Sequence, residues 1–575
     1  MVTLSIDDQE VSVPAGTTLL EAARQIGIHI PTLCHHAELN HSPGACRVCL
    51  VEVARSRNLV ASCVYPVAEG LRVKTNSARV RRARRAVVEL LLSDHPDECN
   101  TCLMNGRCEL QSIAQQVGVT DIRVDRSDFA DYSLDTSSAA LIRDPRKCIG
   151  CLRCVTACAE VQGVSLLTSE GRGFSCRVVP AMNASLADSA CTFCGQCAVV
   201  CPTGAITERD ETDRVWAALD NPALHVVVQE APAVRVQLGE EFGLEIGSLV
   251  TGKMIAALRR LGFDRVFDTN FSADLTIMEE GHELLNRVKT GGALPMITSC
   301  SPGWIKFIEH YYPQLLPHVS SCKSPQQMFG AVAKTYYAEK AGIPADRIFV
   351  VSIMPCTAKK YEAARPEMRS SGHQDVDVVL TTRELARMIR AAGIDFVNLA
   401  EEAFDAPMGQ YTGAATIFGA TGGVMEAALR TVYEVVTGER LSSLDITPVR
   451  GLQGVKEASL EVGELGEVRV AIAHGLANAR KLLDRLVENT ADYHFIEIMA
   501  CPGGCVGGGG QPLPATNEKL QKRAEALYRD DREVQEYRQS HENPAIKTLY
   551  EEFLGEPLGP RSHELLHTHY VERTY

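Results

Sequence analysis

The chain has 575 residues, 45% of them hydrophobic and 23% charged, a composition able to bury several sizeable cores. Its formal net charge of −14 argues against a general nucleic-acid binder, which carries a basic surface. No apolar run is long enough to span a bilayer, and MVTLSIDDQEVSV lacks the basic start and apolar stretch of a secretory signal, so a cytoplasmic protein is expected.

The informative residue is cysteine, which occurs 21 times. Nothing directs export, and the recurring C-x-x-C pairs suit metal ligation in a reducing compartment better than disulfides. Only Cys176 and Cys322 fall outside groups with ligand spacing, and both read as inert thiols.

In chain order, VTLSI and VSV flank Asp7-Asp8-Gln9 as a hairpin, and Thr17 or Thr18 can cap a helix over TLLEAARQIG. With Cys34, Cys46, Cys49 and Cys63 following, residues 1–78 read as a β-grasp domain whose spacing is a variant of the plant-type [2Fe–2S] pattern, with structural zinc as the alternative. A helix from about Ser77 to Leu92 carries Arg79, Arg81, Arg82, Arg84 and Arg85, expected as a solvated face, or else as a docking patch for an acidic electron carrier. His95, Cys99, Cys102 and Cys108 define a small domain over residues 79–125; spacing alone suits zinc equally, and the neighbouring groups favour [4Fe–4S].

Over residues 126–209 the run C-x2-C-x2-C-x3-C occurs twice, at Cys148, Cys151, Cys154, Cys158 and at Cys191, Cys194, Cys197, Cys201. This is the two-cluster ferredoxin pattern, in which the fourth cysteine of each run serves the other cluster. Cys201 is therefore expected with the first three cysteines of the first run, and Cys158 with those of the second. So many clusters in a row make an electron wire.

From about Asp210 to the end, apolar runs (HVVVQ, PMITSC, FVVSIMPC, FIEIMAC) alternate with helical patterns such as MIAALRRLG, ELARMIRAAG and ANARKLLDRL, predicting a mostly parallel α/β domain. Three of these strands end at Cys300, Cys356 and Cys501, with Cys505 just beyond, so four thiols can converge at the carboxyl edge of a sheet. The fold class expected is thus α+β and α/β multidomain. Two tempting motifs are set aside: Gly247–Lys253 approaches a phosphate loop, but Met254 replaces its Ser or Thr, and Gly419–Gly423 is no dinucleotide fingerprint.

TSCSPGW, MPCTAKKYE and EIMACPGGCVGGGGQP closely resemble the three signatures of [FeFe]-hydrogenases, and the whole chain is similar to the large modular type, including a C-terminal small-subunit-like segment. The resemblance implies an H-cluster: a [4Fe–4S] cubane joined through cysteine sulfur to a diiron unit with CO, cyanide and dithiolate ligands. It places Cys356 and Cys501 on the cubane, Cys505 at the bridge, Lys359 on a cyanide, and Glu280, Glu283 and Ser320 on a proton path. It also exposes a departure, because the family's two adjacent cysteines are here Cys300 and Ser301. Strict register leaves Cys300 as proton carrier and a serine at a cubane corner. Since an alcohol is a poor ligand for this iron, Cys300 is expected to bind iron and Ser301 to relay protons.

The implied function is reversible conversion of H2, with electrons passing through one [2Fe–2S] and three [4Fe–4S] accessory clusters. TSCSPGW further resembles hydrogenases of NAD(P)-coupled complexes, so ferredoxin and NAD(P)H- or flavin-binding subunits are the expected partners. The alternatives are a hydrogen sensor, favoured only by Ser301, and a non-catalytic iron–sulfur subunit of an NADH dehydrogenase-like complex, which would lack the three late signatures.

Overall fold

Asp7 and Asp8 both hold positive φ (47° and 66°), the geometry of a tight two-residue hairpin, and Val2–Ile6 pairs antiparallel with Gln9–Val13 around them. The sheet continues from Val2–Ile6 to Arg72–Lys74, Leu50–Val53 and Val60–Ala61. Thr18, not Thr17, caps the helix Leu19–Gln25: its hydroxyl accepts from Glu21 N (3.2 Å) and its N–H donates to the Glu21 carboxylate (2.8 Å). This computed structural model describes residues 1–126 and 132–574.

The arginine run on the helix Ala78–Ser93 divides. Arg79, Arg81, Arg82 and Arg85 are exposed, as expected of a solvated face. Arg84 is not: it shares the inward stripe of Val80 and Val88 and donates twice to the Leu50 carbonyl (3.1 and 2.7 Å). A helical period places every fourth residue inward, whatever the charge of its neighbours. The helix thereby clamps the five-stranded sheet.

Short elements build the next region, whose predicted beginning includes residues 127–131, outside the described residues. Two antiparallel strand pairs, Leu141–Arg143 with Ile206–Glu208 and Leu167–Glu170 with Arg177–Pro180, hold the helical turns Arg153–Thr156 and Gln196–Val199 beside the cysteine runs.

Beyond residue 210 the single mostly parallel sheet resolves into two four-stranded sheets. One is wholly parallel, in the order Arg265–Asp268, His225–Glu230, Ile348–Met354, Val378–Thr381. The other runs Met296–Ile297, Phe495–Met499, Glu467–His474, Val455–Glu461, with only the last strand antiparallel. The near-continuous apolar runs follow from burial on both faces: Ile496 and Ile498 enter one core, Phe495 and Met499 another. The buried helix Thr269–Thr290 packs between the sheets' crossovers and carries Glu279, Glu280 and Glu283. Among the described residues no helix is long and apolar enough to cross a membrane.

Candidate active site

Four apolar strands, two from each sheet, end around one largely apolar cavity. Ala231 and Pro232 follow the first, Cys300 the second, Cys356 the third and Cys501 the fourth, and all of them line it with Cys505. The convergence expected of the four late cysteines is therefore present, at the carboxyl edges of two sheets. The glycine loop closes the far wall: a Cβ on Gly508 would sit 2.2 Å from Pro355 O, and one on Gly509 2.4 Å from Cys194 O. Only glycine lets this loop pass between the two segments.

Electrostatics makes the cavity a cation site. Burial, reinforced by the charges of neighbouring thiols, raises the pKa of Cys501 well above the usual range, and burial with Cys356 beside it pushes Cys505 up to about 12. Thiols so placed stay protonated unless a bound metal supplies the compensating charge. That donor set, soft, buried and glycine-cradled, fits an iron–sulfur group.

Around it lies a polar route. Cys300 lines the cavity and has Glu280 and Lys359 as its principal charged neighbours. Glu280 is buried, and neither of its oxygens makes a well-formed protein hydrogen bond; burial, then the charge of Glu283, pushes its carboxyl up to about 8. Ser320, also a neighbour of Glu280, donates to Glu283 Oε2 (2.8 Å), and Glu283 Oε1 accepts from Arg287 (2.7 Å). Lys359 Nζ donates to Cys300 O (3.1 Å) and to Glu362 (2.9 Å), which Ser324 and Gln326 also hold. Ser301 begins the helix Pro302–Tyr311, and its Oγ accepts from Ala500 N (3.2 Å), next to Cys501. Arg287 and Glu362 were not singled out in the sequence; their signals are the i,i+4 pair with Glu283 and the i,i+3 pair with Lys359.

The other cysteines form a series of smaller cavities. His95, Cys99, Cys102 and Cys108 line one; Cys148, Cys151, Cys154 and Cys201 a second; Cys158, Cys191, Cys194 and Cys197 a third, so the exchange of fourth cysteines is the arrangement in space. Thr203 is shared by the first and second, Ile206 by the second and third, and Cys194 by the third and the strand-end cavity. Cys34, Cys46, Cys49 and Cys63 are all buried in one core, which they share with Cys108 and Cys151. Cys176 lines none of these cavities, and Cys322 is fully buried beside Glu283. Of the motifs set aside, Lys253 is engaged by the Val397 carbonyl, and Gly422 and Gly423 serve close packing, their would-be Cβ atoms meeting Val449 O and Ile417 O.

Residues 224–509 match the family described as iron only hydrogenase large subunit, C-terminal domain, and residues 517–573 the iron hydrogenase small subunit. The NADP-reducing hydrogenase subunit HndD of Solidesulfovibrio fructosivorans is 53% identical, across 100% of this chain and 99% of its own length. The chain belongs to the iron-only hydrogenase family. Iron hydrogenase 1 of Clostridium pasteurianum is 41% identical over 99% of this chain and 100% of its own. An apo [FeFe]-hydrogenase structure from Chlamydomonas reinhardtii superposes with a TM-score of 0.57 at 47% identity, covering 63% of this chain and 99% of that one.

This hydrogenase also matches a 2Fe-2S cluster binding domain over residues 1–78, the NADH-ubiquinone oxidoreductase-G iron–sulfur region over 84–123 and a 4Fe-4S dicluster domain over 147–205. It is an oxidoreductase that consumes or produces H2, with iron–sulfur domains in front of an H-cluster domain. The large-subunit match removes the reading as a purely electron-carrying subunit.

Proposed function

We propose that this hydrogenase is the hydrogen-converting subunit of a larger cytoplasmic assembly whose other chains bind NAD(P)H and flavin, with ferredoxin as a further electron partner. The carrying observation is a wire with two entrances: the core of the N-terminal sheet reaches Cys151 and Cys108, while the His95 cavity reaches the same point through Thr203. A single donor needs only one. The printed name of the 53% identical relative, an NADP-reducing hydrogenase subunit, supports this reading. It divides the chain into a [2Fe–2S] part (1–78), a part with one histidine and three cysteine ligands (79–125), a two-cluster ferredoxin part (126–209) and a catalytic part (210–575).

When bound, the H-cluster supplies the iron at which H2 is formed or split. Cys356, Cys501 and Cys505 would hold it, and Lys359, fixed by Glu362, presents an ammonium to an anionic ligand. For the first signature, the surroundings favour strict register over the ligand role expected for Cys300. The Cys300 thiol has Glu280, the start of the proton route, as its principal charged neighbour, whereas Ser301 Oγ is held by the N–H of Ala500, one residue before Cys501. Cys300 therefore moves protons to Glu280, and onward through Ser320 and Glu283 to Arg287 near the surface. In that register Ser301 would take the position of the remaining cubane ligand. Keeping the whole route distinguishes an enzyme from a sensor.

The test of the assembly is purification from the native host under argon, followed by assays of NAD(P)+ reduction by H2 with and without ferredoxin. The isolated chain is expected to fail and a co-purifying complex to succeed. A lone chain, fully active with ferredoxin and inert to nicotinamides, contradicts the proposal.

A further inference from the structure

Beside the proton route, and sharing Glu283 with it, lies a cluster whose other members the route does not use. Cys322 is fully buried and points its thiol at Glu283 Oε2 (3.8 Å). A backbone bridge between Cys322 and His567 brings in the C-terminal segment, and the ligating atoms of Glu283, Cys322 and His567 all lie within 4.8 Å of one another.

The imidazole's tautomer follows from its partners. Nε2 lies 3.0 Å from Glu279 Oε2, and the same carboxylate accepts from Ser562 Oγ (2.5 Å), Leu558 N (2.9 Å) and the Tyr550 hydroxyl. Burial works against the charge, but these donors together hold the carboxyl below its usual range. Glu279 is thus an acceptor, Nε2 carries the proton, and Nδ1 keeps its lone pair, which the Ser321 hydroxyl occupies at 2.8 Å. An outer carboxylate on one ring nitrogen is the standard way to aim the other at a metal.

We propose that Cys322, Nδ1 of His567 and Glu283 form a binding site for a zinc-class dication, and that filling it blocks the proton route through Glu283. One thiolate, one imidazole and one carboxylate suit a borderline-soft tetrahedral ion, with the Ser320 hydroxyl or a water as fourth ligand. Ligand atoms around such an ion stand roughly 3.5 Å apart, so the trio closes by about 1 Å, with Ser321 giving up its hold on Nδ1. Binding exchanges the Cys322 S–H bond for an S–metal bond and releases that proton; no electron moves. Two carboxylates, Glu283 and Glu279, flank the thiol and favour a dication, with protonated Glu280 nearby, and Arg287 on Glu283 is the opposing cation. On the C-terminal helix, exposed His563 stacks on the His567 ring at 4.8 Å. The blocking half rests on the proton route proposed above; the binding half does not.

The test gives the matured, chelator-washed chain one equivalent of Zn2+ and reads the zinc K-edge, which is blind to cluster iron. The expected shell has one sulfur with nitrogen and oxygen, and zinc slows H2 uptake about tenfold or more, reversibly with chelator. Cys322→Ser keeps the volume and the uninhibited turnover, but should lose the sulfur and weaken binding at least about tenfold. An unchanged sulfur shell and affinity in Cys322→Ser overturns the site. Zinc bound through sulfur with unchanged H2 uptake overturns the block. Full turnover in Glu283→Gln would instead point to a failure of the route itself.

Discussion

The two halves of this hydrogenase store their chemistry in different ways. In residues 1–209 most cysteines that share a cavity are near neighbours in the chain, and the elements between them are short. Cys148, Cys151 and Cys154 meet in one cavity because one loop winds around it, and only Cys201 comes from far away. In residues 210–575 no local stretch makes the site: Cys300, Cys356 and the Cys501–Cys505 loop arrive from three separate strands of two sheets, and the carboxylates of the proposed proton route come from a buried helix. The first half is read from spacing and the second from topology. The same difference predicts how each half breaks.

The largest effect belongs to the topological site. Cys501→Ser should reduce H2 turnover by more than about 10³-fold, since the group that does the chemistry loses an anchor. Electron paramagnetic resonance of the accessory clusters should be unchanged, because their ligands are local. Loss of those signals together with the catalytic one would show that the halves do not assemble separately.

Next comes proton delivery. Glu280→Gln keeps shape and removes an exchangeable proton, so turnover should fall about 10²-fold while infrared bands of CO and cyanide remain. The pH profile carries the sign. With its carboxyl pushed up to about 8 by burial and Glu283, Glu280 is a proton donor below that pH and an acceptor above it. H2 oxidation should therefore rise about tenfold between pH 7 and 9 and evolution fall, as the ionised fraction grows. Because the folded value is raised, the stability this group contributes is present at low pH and lost as pH rises through about 8. A profile that is flat through this window would remove Glu280 from the route.

A smaller effect tests the seam between the halves. Glu208, at the end of the ferredoxin region, is buried against Arg383 (2.6 Å) and Arg387 (3.0 Å) of the catalytic part, and these guanidiniums outweigh burial to hold its carboxyl far below the usual range. Glu208→Gln should cost about 3–5 kcal/mol, as leaving buried charge unpaired does, read as a lowered denaturant midpoint by circular dichroism. Arg82→Ala, on the exposed stripe, should change stability by less than about 0.5 kcal/mol. Its neighbour Arg84, buried with two hydrogen bonds, should be far more costly.

What could be read in the chain follows this same division. The exchange of Cys158 and Cys201 was legible because the C-x-x-C period is local and duplicated. The late cysteines were legible as strand ends, but the split into two sheets was not, since strand runs carry no record of which neighbour they join. Arg84 was hidden by its charge run, because only the helical period, counted from Val80 and Val88, reveals that it points inward. Arg287 and Glu362 were missed for a related reason: their partners Glu283 and Lys359 drew attention, and a pair three or four residues away resembles any surface pair until burial is known. The cluster of Glu283, Cys322 and His567 lies beyond sequence reasoning, because its members come from three remote segments.

The most direct measurement compares this chain expressed with and without the machinery that builds the diiron unit, recording infrared spectra and H2 evolution on each. The matured protein should show CO and cyanide bands, contain about twenty iron atoms and evolve H2, while the unmatured one keeps its cubanes and is inactive. Hydrogen evolution by the unmatured protein, or matured protein without those bands, would contradict the assignment of the strand-end cavity as the site of hydrogen chemistry.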